Sequence, residues 1–122
     1  MTHLAVDPHP TLRLHAFRSA LPARLADLAS PAWLVELLRK DAPAPVQKSE
    51  ALRSAVRDML RHGGYKPTGR GKPASEYLVR AAEEGGLRSI NAVVDVCNVV
   101  SLHSGFPISV VDTDRAVAPY RI

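Results

Sequence analysis

Apolar residues recur along this 122-residue chain in two rhythms, and the switch between them predicts where its elements lie. From Thr11 to Phe17, Leu12, Leu14 and Ala16 alternate with Arg13, His15 and Phe17, and this period of two predicts a half-buried strand. The rhythm then lengthens. Leu34, Leu37 and Leu38 predict a helix from Pro31 to Asp41, with Ser30 as N-cap and Pro31 in its first turn. The linker Asp41–Pro45 carries two prolines that cannot continue a helix. A second helix is expected from Ser49 to His62, with Leu52, Val56, Met59 and Leu60 on one stripe and Gly63-Gly64 as its stop. The loop Tyr65–Pro73 leads to a third helix, Ala74–Glu84, which turns Leu78, Ala81 and Ala82 inward and closes at Gly85-Gly86.

The segment Ile90–Ser104 is ambiguous by pattern alone. Val93, Val94, Val96, Val99 and Val100 favour a strand by propensity. Yet the stretch between Ser89 and Gly105 is long for a strand and ordinary for a helix, so a helix is expected, apolar nearly all round and packed on several sides. Short strands are expected at Ile108–Val111 and Val117–Ile122. These elements make one domain of the α+β class, with helices packed on a mixed β-sheet.

Composition narrows the classes. A hydrophobic fraction of 46% and a mean hydropathy of -0.06 fit a folded globule that builds its core without staples. Cys97 is the lone cysteine, so no internal disulfide forms, which suits a reducing compartment. No apolar run approaches the roughly 20 residues of a membrane span, and Met1–Pro10 lacks the pattern of a signal peptide, so a cytoplasmic location and no membrane partner are expected. The histidines at 3, 9, 15, 62 and 103 show no metal-ligand spacing, and no glycine pattern matches a phosphate-binding P-loop. Neither a metal nor a cofactor is expected.

The net charge of +4 favours an anionic partner, and the positive charge is clustered. Arg57, Arg61, Lys66, Arg70 and Lys72 fall within one stretch whose single acid is Asp58. Arg57 and Arg61 share a helix face, while the loop from Gly64 to Pro73 mixes glycines, cations and Tyr65. Glycines let backbone approach a phosphate, cations neutralise it, and a tyrosine can stack on a base. With Tyr65, these five cations are the candidate RNA contacts. The competing reading of the same residues is a solvated, flexible connector.

Inside the apolar helix, Asn91, Asp95 and Asn98 recur at helical spacing and share one face. Buried, each costs on the order of 1–3 kcal/mol unless hydrogen-bonded, so the fold must satisfy them, as braces for neighbouring loops or as the lining of a pocket. Cys97 reads first as core packing, and the spacing supplies no Cys–His pair or catalytic triad.

The run Ser89–Leu102, followed by Gly105-Phe106-Pro107 and then Asp112, resembles the B3/B4 domain, the tRNA-editing domain of the β subunit of bacterial phenylalanyl-tRNA synthetase. The shared pattern is Ile90-Asn91, Val93-Val94-Asp95, Asn98, the Gly105-x-Pro107 turn and Asp112. Lys66-Pro67 and Pro73–Leu78 are similar to stand-alone members, and the recognisable core runs from Gly64 to Asp112. The resemblance implies a pocket lined by Asn91, Asp95, Cys97, Asn98 and Ser109. Asn98 is retained; Cys97 stands where the family has Thr, and Ser109 where it has His. The family domain is longer, so this chain is expected to be its first half, or a short version, with a sheet edge completed by another chain or a second copy. Two functions follow as expectations: a module that binds tRNA or aminoacyl-tRNA and edits it by hydrolysis in trans, or one that keeps the fold for tRNA or protein contacts without the chemistry. The chain is too short for a synthetase catalytic core.

Overall fold

The computed structural model describes residues 3–122, and within them four α-helices, two single-turn 3-10 helices and one short parallel strand pair. Helix α1 spans Ala32–Glu36, α2 Glu50–His62, α3 Ala74–Glu83 and α4 Ala92–Ser104. Strand β1 (Leu4–Ala5) pairs in parallel with β2 (Tyr120–Arg121), joining the two ends of the described chain.

The second helix forms where its cap predicts. Ser49 accepts from the Leu52 amide at 3.1 Å, Glu50 lies in the positive first turn, and Arg61 and His62 occupy the last. Helix α4 settles the ambiguous segment as helix. Asn91 caps it by accepting from the Val94 amide at 2.9 Å. Gly105 ends it in the left-handed region at φ +80, and its amide donates to the Ser101 carbonyl at 2.9 Å.

The first helix is shorter than the expected Pro31–Asp41. From Leu37 onward its bonds tighten to the i−3 carbonyl, with Leu38 to Val35 at 3.1 Å and Arg39 to Glu36 at 3.3 Å, so the leucine stripe continues as turns. The stripe still does its work: Leu34, Leu38 and Val99 make the core cluster, with Leu37 and Leu87 packed against it. Ser30 does not cap α1; its hydroxyl is turned toward α4.

Helix α4 is the central element, packing against both α1 and α3. Asp95, Val99 and Leu102 face inward, while Val96 and Val100, one turn apart, stay 48% and 43% exposed. The last turn, Ser101–Ser104, is buried all round, so the helix is packed on several sides and open only along the Val96/Val100 stripe.

The expected sheet is largely absent among the described residues. Residues 11–17 are irregular and mostly exposed, with Phe17 at 93%. The stretch 108–111 is not paired, and of 117–122 only Tyr120–Arg121 joins β1. A parallel two-residue pair thus stands where a mixed sheet was expected. The architecture is helix-rich α+β. No helix is long and apolar enough to cross a membrane among the described residues.

Candidate functional site

The residues singled out in the sequence divide into two places, an ordered basic loop ahead of α3 and a polar knot at the start of α4.

The loop is built rather than slack. Pro67 is fully buried at its base. The Thr68 amide donates to the Lys66 carbonyl and the Gly71 amide to the Thr68 carbonyl, both at 2.9 Å. A tight turn at Gly69–Gly71 follows, with Gly69 at φ +57, and the Tyr77 hydroxyl of α3 donates to the Gly69 carbonyl at 3.2 Å. A Cβ on Gly71 would collide with the Lys66 carbonyl oxygen, so only glycine lets the two ends of the loop meet. The loop is therefore held in one shape by its own backbone and by α3.

The structure separates the six candidate RNA contacts into two groups. Arg57 is engaged: its Nε and Nη2 donate to the two carboxylate oxygens of Glu76, each at 2.7 Å, and this fork ties α2 to α3. Arg53 adds a third bond to Glu76 at 3.2 Å. The Arg57 hydrogen bonds are the main reason the Glu76 carboxyl is held below its usual range. Arg61 pairs with Asp58 at 2.7 Å on the exposed face of α2. By contrast, Lys66, Arg70 and Lys72 make no ion pair among the described residues, and Tyr65 stands beside them 49% exposed.

The polar knot centres on Asp95, which is wholly buried. Its carboxylate accepts from the Ser30 hydroxyl, from the Ser89 hydroxyl at 2.5 Å and from the Ile90 amide at 2.8 Å. Burial alone would push its pKa up; the donated hydrogen bonds from Ser30, Ser89 and the backbone outweigh it and hold the group below the ordinary carboxylate range. The carboxylate thus fastens the chain ahead of α1 and the α3–α4 connection to the first turn of α4. No buried side-chain polar atom is left without a partner among the described residues.

The other pocket candidates are only partly gathered. Asn91 is turned onto its own helix as the cap. Cys97 is half-buried and its thiol donates to the Ile108 carbonyl at 3.6 Å, which brings the Ser109 segment alongside α4. Burial pushes the Cys97 pKa up, so the thiol is protonated at neutral pH and a poor nucleophile. Asn98 is half-buried one turn from Asp95, and Ser109 is exposed. One surface groove runs along α2 beside Thr11, Met59 and His62, and another, between α1 and Leu87–Ser89, reaches the Ser89 edge of the knot.

Sequence reasoning did not identify Ser30, Ser89 and Glu76 as the groups that hold these sites. Ser30 lies 65 residues from Asp95, and no local spacing connects them. The one available signal was physical: a carboxylate on an apolar helix needs donors, and both serines directly precede predicted helices.

Comparison with known proteins places the sequence. The B3/4 domain family model matches residues 66–121, which starts inside the expected core and runs past it to the second strand. Two phenylalanine–tRNA ligase β subunits are similar over part of the chain. That of Synechococcus sp. (strain CC9605) is 46% identical over 43 residues, covering 35% of this chain and 5% of the relative. That of Gloeobacter violaceus (strain ATCC 29082 / PCC 7421) is 46% identical over 46 residues, covering 38% and 6%. The chain thus spans about a twentieth of the length of these relatives. No solved structure matches.

Proposed function

We propose, from the premise that residues 66–121 carry the B3/4 domain of the phenylalanine–tRNA ligase β-subunit family, that this chain is a tRNA-contacting module that works through its basic loop. One observation carries the reading: Lys66, Arg70 and Lys72 sit on a loop of defined shape, free of acidic partners among the described residues, next to an exposed tyrosine. A pre-shaped loop loses little conformational entropy on binding, and unpaired cations need not break an ion pair before meeting phosphate. Arg57 is a brace in this reading, and Arg61 reaches RNA only by leaving Asp58.

Three phosphate contacts set the size of the salt response. Each contributes roughly −0.7 to −0.9 to the slope of log K against log salt, so raising salt from about 50 to 200 mM should weaken tRNA binding about 15- to 40-fold. Replacing Lys66, Arg70 and Lys72 together with Ala should remove most of that dependence while leaving the helical circular-dichroism signal intact. A binding curve indifferent to salt, or unchanged in the triple variant, would sink the proposal.

The second reading adds hydrolytic editing of misacylated tRNA in trans, with Asn98, Cys97 and Ser109 near the reacting ester. What favours it is the position of Asn98, a half-buried amide one turn from the anchored Asp95 and beside the Cys97–Ile108 contact. In this reading Cys97 belongs to the wall and does not attack, since burial raises its pKa and leaves the thiol a weak nucleophile. A deacylation panel of mischarged tRNAs decides it, with Asn98→Ala as control. Turnover abolished by that substitution supports editing; no turnover leaves the module as a binder only.

A further inference from the structure

The first turn of α3 ends in donors without acceptors. Its N-cap is Pro73, which turns no side-chain group back on the helix and has no amide of its own. The bonding of the helix begins at Glu76, whose amide donates to the Pro73 carbonyl at 2.9 Å. The amides of Ala74 and Ser75 have no acceptor among the described residues, and they point out of the positive end of the helix. A buried hydroxyl stands at the same end. Ser75 is 4% exposed, yet the side-chain hydrogen bonds of α3 belong to Glu76, Tyr77, Arg80 and Glu83, and none to Ser75. No enclosed side-chain polar atom among the described residues lacks a partner, so the hydroxyl is the part of Ser75 that reaches the surface. Helical Cβ atoms tilt toward the N-terminus, and this hydroxyl does not bond back to a preceding carbonyl, so it stands beside the two free amides.

The charges around this end are positive and uncompensated. Glu76, the acid of the first turn, is turned to α2, where Arg57 and Arg53 hold both of its oxygens. The Tyr77 hydroxyl clasps the Gly69 carbonyl at 3.2 Å, which holds the loop carrying Arg70 and the half-buried Lys72 against the same end of α3. Neither cation makes an ion pair among the described residues. Three convergent donors under two free cations match an acceptor that carries negative charge on several oxygens.

We infer that the first turn of α3 is a phosphate seat. The Ala74 and Ser75 amides and the Ser75 hydroxyl donate to one phosphate group, while Lys72 and Arg70 neutralise it. The inference deepens the RNA reading and rests on it for the source of that group, a backbone phosphate of the bound tRNA. The donor set itself takes the same group from a free ion.

Amide proton–nitrogen correlation spectra of the full chain test it, with inorganic phosphate titrated against sodium chloride of equal ionic strength. The Ala74 and Ser75 amides should shift and saturate with phosphate and not with chloride, and tRNA should shift the same two. Ser75→Ala should raise the half-saturating phosphate concentration about tenfold, the worth of one hydrogen bond to a charged group. Its unfolding temperature should not change, because the hydroxyl bonds nothing within the fold. Lys72→Ala should weaken phosphate as well, through charge alone. A Ser75→Ala chain that melts earlier and answers phosphate as before would make the hydroxyl structural and overturn the inference. Chloride shifts equal to those of phosphate overturn it too. Binding of tRNA with Ala74 and Ser75 unmoved overturns the seat and spares the RNA reading. Phosphate seated there without any tRNA binding supports the seat and refutes the RNA reading.

Discussion

Asp95→Asn keeps the volume of a wholly buried side chain and removes its charge. Three donors converge on the native carboxylate: the Ser30 and Ser89 hydroxyls and the Ile90 amide. Hydrogen bonds to a charged acceptor contribute roughly 1.5–3 kcal/mol each, against about 1 kcal/mol for neutral pairs. Neutralising the acceptor therefore loses on the order of 1 kcal/mol per bond. One carboxamide corner is also now a donor, and it meets a donor. A destabilisation of about 3–4 kcal/mol is expected, a large share of the roughly 5–15 kcal/mol total stability of a domain. Urea unfolding followed by far-ultraviolet circular dichroism measures it as a midpoint shift of about 1–3 M at an unchanged slope. Ser30→Ala, which removes one donor, should cost about 1–2 kcal/mol, and its effect should shrink when combined with Asp95→Asn because the two groups are coupled. The reasoning fails if Asp95→Asn costs under about 0.5 kcal/mol, or if the two substitutions add without coupling.

The same group predicts a pH dependence. A carboxyl whose native pKa is depressed stabilises the fold above the ordinary carboxylate range, and that contribution disappears as pH falls through the native value. Asp95 and Glu76 are both held low, so stability should decline from about pH 5 downward, and less steeply in Asp95→Asn. Identical acid profiles for the two proteins would contradict this. Gly71→Ala forces its new Cβ against the Lys66 carbonyl, so it should cost about 1–3 kcal/mol in thermal unfolding and lower tRNA affinity in the same salt titration. Binding at wild-type strength would show that the loop shape is irrelevant. Ser101→Ala strips the 2.6 Å bond that fixes the Phe106 carbonyl, so about 1–2 kcal/mol of stability should be lost and amide exchange across residues 106–111 should quicken. Unchanged exchange there would mean that the helix does not hold that segment.

The B3/4 match to residues 66–121 bears out the family resemblance read from the Ile90–Asp112 pattern. The N-terminal third was read less well. The alternation at Thr11–Phe17 is a genuine period of two, yet the segment is irregular, since a strand needs a neighbour to bond with and none is present among the described residues. The polar face of α4 was seen as one cluster. In the structure its members part company: Asn91 caps, Asp95 anchors, and Asn98 remains between core and surface.

By itself the sequence determined α2 and α3 nearly to their ends and the stop of α4, but not where α1 ends. Ser49 and Gly105 act within one turn of themselves, and the leucine and valine stripes mark a core-facing side wherever the helix lies. It also determined which loop carries unmatched positive charge. The tertiary structure alone decided that Arg57 is taken by Glu76, that Ser30 reaches Asp95, and that Leu4 pairs with Tyr120. Each of these joins groups distant along the chain. Capping and periodicity are local energies that a few neighbouring residues set, whereas these contacts exist only once the folded chain has brought α2 to α3, Ser30 to α4 and β1 to β2.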